Sequence, residues 1–126
     1  MRAKPRISVS IIFHITTREA WERAWPTGAY RPEAFAVEGF IHCSTPAQVV
    51  RVADARFRGR GGLVLLAIDS EKVGPEIVYE NLEGGAELFP HIYGELNAEA
   101  VAEVLKFEPG ADGYFTLPSY GGAGES

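Results

Sequence analysis

Sulfur is nearly absent from this chain. Among 126 residues there is one cysteine, Cys43, and one methionine, at position 1. A single cysteine excludes an intrachain disulfide and suits a reducing compartment. Cations are also short: 12 Lys and Arg face 17 Asp and Glu, a net charge of −5. Such a surface repels a phosphate backbone, so broad nucleic-acid binding is not expected. No apolar run approaches the length of a membrane span. The start, "MRAKPRISVSIIFHI", begins like a secretory signal, but Ser8, Ser10 and His14 interrupt its apolar stretch and no small-residue cleavage site follows. The expectation is a soluble, cytoplasmic protein with no membrane partner.

The usual chemical signatures are missing as well. There is no H-E-x-x-H, no G-x-S-x-G, and the glycine-rich "RGRGG" lacks the Lys-Ser/Thr of a phosphate loop and precedes a strand. What remains is an ordinary globular balance, 46% hydrophobic and 23% charged, in a length that fits one domain.

Apolar residues at Ile7, Val9, Ile11, Phe13 and Ile15 occupy alternate positions, the period of a strand. Thr16 and Glu19 have capping-box spacing for a helix over "REAWERAW", ending at Pro26. A connector with a helical turn around residues 33–37 leads to "GFIHCS", a strand with Phe40, His42 and Ser44 on one face and Ile41 and Cys43 on the other. Thr45, Pro46 and Gln48 then open a second helix over "AQVVRVADARF". "LVLLAID" is apolar on both faces, as in a central strand. "EIVYE" is a short strand, "NLEGGAEL" a loop, and "FPHIYGEL" a strand presenting Phe89, His91 and Tyr93 together. Asn97 is expected to cap a last helix over "AEAVAEVLKF" and "DGYFTLP" to form a final strand. The whole reads as an α+β fold: a single domain over 7–118 with a mixed, mostly antiparallel sheet and three main helices. Residues 1–6 form an extension and 119–126 a glycine-rich flexible tail.

The chain has three histidines, His14, His42 and His91, and each sits at or near a strand end in an apolar run. Taken singly, each is most simply a structural histidine hydrogen-bonded to backbone. Taken together, they suggest one polar cleft at the strand ends. A zinc site has no supporting spacing. Cys43 points away from His42 and reads as a small buried hydrophobe, and Ser44 is explained by the strand-to-helix cap without a covalent triad. Glu80 closes a short strand and is either simply exposed or part of the cleft. Tyr30 and Tyr93 either pack or grip a planar ligand.

The blocks "IFHIT", "GFIHCST", "LLAID", "YE" and "FPHIYGEL", in this order, resemble a small bacterial domain of unknown function, family 952, over about Ile11 to Leu117. That family resembles the ADP-ribosyltransferase-like fold group, which implies a cleft between two small sheets that binds NAD or a related nucleotide. In that group a basic residue on the first strand holds ADP-ribose, a second strand supplies a Tyr, His or Ser, and a later strand supplies a Glu or its replacement. Carried over, His14 matches the first position, His42 with Ser44 the second, and either Glu80 or His91 the third. The resemblance therefore implies His42, Glu80 and His91 as catalytic, with His14, Tyr30, Ser44 and Tyr93 binding ligand. The reaction implied is transfer or hydrolysis of ADP-ribose from NAD as substrate, with no firm cofactor. A non-catalytic nucleotide-binding module and a metal-dependent hydrolase using the same histidines are the alternatives.

Overall fold

The alternation and the apolar runs read above become eight strands and three α-helices in a computed structural model, which describes residues 10–121. The order is β1 (Ile11–Thr17), α1 (Arg18–Ala24), β2 (Ala29–Tyr30), α2 (Phe35–Glu38), β3 (Ile41–His42), α3 (Val49–Arg56), β4 (Leu63–Asp69), β5 (Ile77–Glu80), β6 (Phe89–Ile92), β7 (Leu96–Asn97) and β8 (Val101–Phe107). Short 3-10 turns follow α1 and β4 and precede β8. No helix among the described residues is long and apolar enough to cross a membrane.

β4 is buried along its whole length and runs between β1 and β8. Its even residues Val64, Leu66 and Ile68 enter one core with Ile12, Trp21, Ile41 and Ile92. Its odd residues Leu63, Leu65 and Ala67 enter a second core with Phe13, Phe107, Phe115 and the inner face of α3. Period-two geometry thus divides one strand between two small cores, which is why this segment is apolar throughout. The α+β class and the antiparallel pairing follow the expectation, and the split takes the form of three ladders: β1-β4-β8, β2-β7 and β3-β6-β5.

Several local expectations are corrected. The segment expected as a last helix is β8, paired antiparallel with β4 from Leu63↔Phe107 to Ile68↔Val101. The register slips between Ala67 and Ile68, leaving Ala102 as the extra residue of a bulge. Val104 is an exposed edge residue. An outward Val104 beside an inward Leu105 imitates helical spacing, and pairing with β4 overrides the helix propensity of the Ala and Glu residues. Asn97 caps no helix. Its side chain accepts from Gly74 N–H at 2.9 Å and donates to the Lys72 carbonyl at 2.8 Å. "DGYFTLP" forms no strand; Phe115 instead stacks on Phe107 with centroids 4.7 Å apart. The helix after β1 is capped by Thr17, not Thr16. After Ser44 the helical residues begin only at Val49, although Gln48 does accept from Thr45 N–H as the expected box requires. The third helix is the four-residue turn α2, closed by Gly39 at φ 82°, a left-handed conformation that favours glycine. Of the expected tail, Tyr120 packs edge-on against Phe13. Residues 1–9, including the extension and the expected start of the first strand, and residues 122–126 lie outside the described residues.

The three ladders meet at His14. Its Nδ1 donates to the His42 carbonyl at 2.6 Å and its Nε2 lies 2.8 Å from the Tyr30 hydroxyl. The Tyr30 oxygen is in turn 2.9 Å from the Thr16 hydroxyl. A carbonyl only accepts, so the imidazole proton sits on Nδ1. One direction of donation then serves every member: Thr16 to Tyr30, Tyr30 to His14, His14 to His42. Burial lowers the His14 pKa from 6.5 to about 4, opposed by the bond to the His42 carbonyl. Burial likewise pushes Tyr30 up to about 12.

In the unfolded chain His14 regains its ordinary value. Between pH 6.5 and 4 the unfolded state binds a proton that the folded state refuses, so stability is complete above this window and falls as pH drops through it. Urea unfolding is expected to lose roughly 2–3 kcal/mol between pH 7.5 and 4.5 on this account. His14→Gln should unfold more easily at neutral pH but with that part of the slope removed. An unchanged slope in the variant would refute the assignment.

Candidate functional site

β3, β6 and β5 present one face to a cavity of about 290 Å³, closed on its other sides by α3, the connector before β3 and the loop after β5. Its origin is visible in the register. Phe13 and Ser44 exchange backbone hydrogen bonds at 2.7 and 2.8 Å, tying β1 to the end of the β3 segment. No further bridge joins these two segments among the described residues, and both line the cavity, through Phe13 to Ile15 and His42 to Ser44.

Across β3 and β6, His42 stands opposite His91, and across β6 and β5, Phe89 stands opposite Glu80. Paired residues share a face, so this register alone places His42, His91, Glu80 and Phe89 together. The His42 and His91 rings meet edge to face at 5.1 Å. The buried His91 donates from Nδ1 to Glu80 Oε2 at 2.8 Å, and the Tyr93 hydroxyl donates to the same oxygen. These two bonds, Tyr93 first, hold the Glu80 carboxyl below its ordinary range, and the carboxylate in return raises Tyr93. His42 sits at the mouth, its side chain 51% exposed, with Nε2 2.9 Å from Glu38 Oε1. Phe40 lies between the pairs, stacked on His91 at 4.4 Å and in contact with His42 and Tyr93.

Of the residues singled out in the sequence, His14, His42, Ser44, Glu80 and His91 line the cavity. Tyr93 touches it through Glu80. Tyr30 does not line it: the ring is buried and its hydroxyl is bonded to His14. His14 reaches the wall, but both ring nitrogens are engaged and the ring is neutral, so it offers no cation to a ligand. Its link to His42 runs through the backbone carbonyl, not the imidazole. Glu80 and His91, weighed as alternatives in the sequence, are hydrogen-bonded partners at one place in the cleft. Cys43 also borders the cavity but packs in the first core, where burial pushes its thiol well above the usual range.

Sequence reasoning missed Glu38 and Arg56. Glu38 lies four residues before His42, yet a turn at Gly39 intervenes, and no periodicity announces such a pair. Arg56, in the last turn of α3, resembles an ordinary helix-end cation. It is the one Lys or Arg lining the cavity and is paired at 3.3 Å with Glu83 in the loop after β5. Glu38, Glu80 and Glu83 also line the cavity, so carboxylates outnumber guanidinium. The walls are otherwise aromatic and aliphatic, with Phe13, Phe40, Phe57 and Phe89 among them. The arrangement can hold a flat, cationic or neutral ring, relay a proton through either histidine, and stabilise positive charge beside Glu80. The histidines and Glu80 do not assemble a metal site: among the described residues no group of three or more His, Cys, Asp or Glu could hold an ion.

Fold and site together define a small antiparallel α+β domain with a histidine- and carboxylate-lined cleft. The chain belongs to the family described as protein of unknown function DUF952, whose model matches residues 15–104. The crystal structure of protein CC0527 from Caulobacter crescentus is similar, at 33% identity and a TM-score of 0.77, covering 86% of this chain and 95% of that one. The solution structure of the same protein is 34% identical with a TM-score of 0.73, covering 82% and 90%. No curated protein matches.

The Glu80 assignment has a direct test. Tyr93→Phe removes the larger of its two hydrogen bonds, so the Glu80 carboxyl pKa, followed by carboxyl-carbon NMR, is expected to rise toward the ordinary carboxylate range. A midpoint that does not move would remove Tyr93 from the account.

Proposed function

We propose that the cleft binds the nicotinamide-ribose end of NAD and cleaves or transfers its ADP-ribose. The observation that carries this reading is the carboxylate of Glu80, kept ionised by Tyr93 and His91 and set beside an aromatic-walled cavity with an excess of negative charge. The oxidised nicotinamide ring is flat and cationic, which suits both features. A cavity of about 290 Å³ is at the small end for ligand sites, taking one ring and its sugar while the pyrophosphate lies across the mouth near Arg56. The likeness of this family to the ADP-ribosyltransferase-like group, which the sequence blocks imply, supports the same choice.

In this reading the bond from ribose C1′ to the nicotinamide nitrogen breaks with its electron pair passing to the leaving ring. Glu80 accepts from the ribose 2′-hydroxyl and stabilises the oxocarbenium-like cation. His42, backed by Glu38, takes the proton of an incoming water or acceptor hydroxyl as the new C1′–O bond forms. His91 and Tyr93 position Glu80. A second reading, a binding module without turnover, draws on the engagement of His42 with Glu38 and of Glu80 with two donors, which commits both groups before a ligand arrives.

Purified protein incubated with NAD is expected to release nicotinamide, measured by chromatography, and Glu80→Gln to slow release by about 100-fold or more. Saturable binding without release would favour the module. No heat of binding with NAD or ADP-ribose at millimolar ligand would overturn both.

A further inference from the structure

Two buried residues that line the cleft each carry a polar side-chain atom with no partner among the described residues. Ser44 is 6% exposed; its backbone is paired with Phe13, but its hydroxyl makes no hydrogen bond to a described residue. His91 is 4% exposed; Nδ1 is bound to Glu80, and Nε2 likewise has no described partner. Both residues line the cavity. Native proteins rarely leave such atoms unpaired, and each one asks for an explanation.

Their relative placement follows from the register. His42 is opposite His91, and Cys43 N–H donates to the Pro90 carbonyl, so Ser44 continues the pairing opposite Phe89. Ser44 and His91 are therefore diagonal neighbours on one face, about 7 Å apart. Their hydrogen-bond characters are complementary. A carboxylate only accepts, so His91 Nδ1 carries the proton shared with Glu80, and in the neutral ring Nε2 is a bare acceptor. Ser44 supplies an O–H donor. Phe13 and Phe89 wall the same space.

We propose that Ser44 and His91 together read a primary carboxamide on a planar ring, its N–H donating to His91 Nε2 and its C=O accepting from the Ser44 hydroxyl. The two amide atoms are coplanar with each other and sit between partners on either side, as the diagonal spacing requires. This deepens the NAD reading and rests on it for the identity of the larger ligand. It adds a specificity that the reading does not contain: the corresponding carboxylic acid is rejected. Its oxygen would face the Nε2 lone pair, in a cavity that already carries Glu38, Glu80 and Glu83.

Calorimetry at pH 8, above the ordinary histidine range, would compare benzamide with benzoate, nicotinamide with nicotinate, and NAD with its deamidated acid form. Each amide is expected to bind about tenfold or more tighter than its acid. Ser44→Ala should abolish that preference, Ser44→Thr should restore it, and the ¹⁵N resonance of His91 Nε2 should move upfield on adding benzamide. Equal affinity for amide and acid, or an unchanged preference in Ser44→Ala, would overturn the proposal. Binding of benzamide and nicotinamide without NAD or ADP-ribose would retain the carboxamide site and remove the NAD reading. Binding of NAD and its acid form alike would do the reverse.

Discussion

One imidazole ties the three ladders together. His14 on β1 donates to the backbone of β3 and accepts from Tyr30 on β2, so each sheet holds a share of its hydrogen bonds. Two of these strands are only two residues long, too short to fix their own position by ladder bonds. An unpaired buried polar group costs about 1–3 kcal/mol, so displacing either short strand leaves His14 unsatisfied. The cleft depends on this junction. It consumes the His42 carbonyl, while the imidazole of the same residue stands at the cavity mouth with Glu38.

The three histidines accordingly do three different things. His14 is neutral and structural, held so by burial. His91 is equally buried but has one nitrogen with no partner among the described residues and a carboxylate on the other, which fixes its tautomer. His42 is half exposed beside a second carboxylate. Phe40 keeps the two dyads in contact and is itself placed by the left-handed Gly39 just before it. A histidine paired with a carboxylate on each side of an aromatic ring is poor economy for a core and well suited to a ligand cleft.

Much of this was legible in the sequence, for a physical reason. β1, β4, β5 and β6 bury alternating faces or both, and period two survives in their residues. Sharing of a face by Phe40, His42 and Ser44, and by Phe89, His91 and Tyr93, is a local property and was read correctly. What could not be read is register. The bulge at Ala102 and the exposed Val104 disguise β8 as a helix, because one inserted residue shifts the phase of the pattern. The Glu38–His42 pair depends on the geometry of a single turn. The burial of Tyr30 behind His14 depends on which ladder β2 joins, a choice made by pairing with the distant β7 (Tyr30↔Leu96, Ala29↔Asn97).

The same distinction explains why Glu80 and His91, on two different strands, meet. Sequence treats Glu80 and His91 as rivals, since each ends or occupies a strand after β4. The β5–β6 register sets Glu80 opposite Phe89 and Val78 opposite His91, diagonal neighbours on one face. A diagonal of this kind lets a long carboxylate meet an imidazole without either leaving its ladder. Placed this way, the carboxylate is held ionised by donors that approach it from its own sheet, which leaves the cavity side of the pair free to meet a ligand. A glutamate alone would lose the two bonds that hold its carboxyl low, and a histidine alone would lack a fixed tautomer. The unit that the fold builds is the pair.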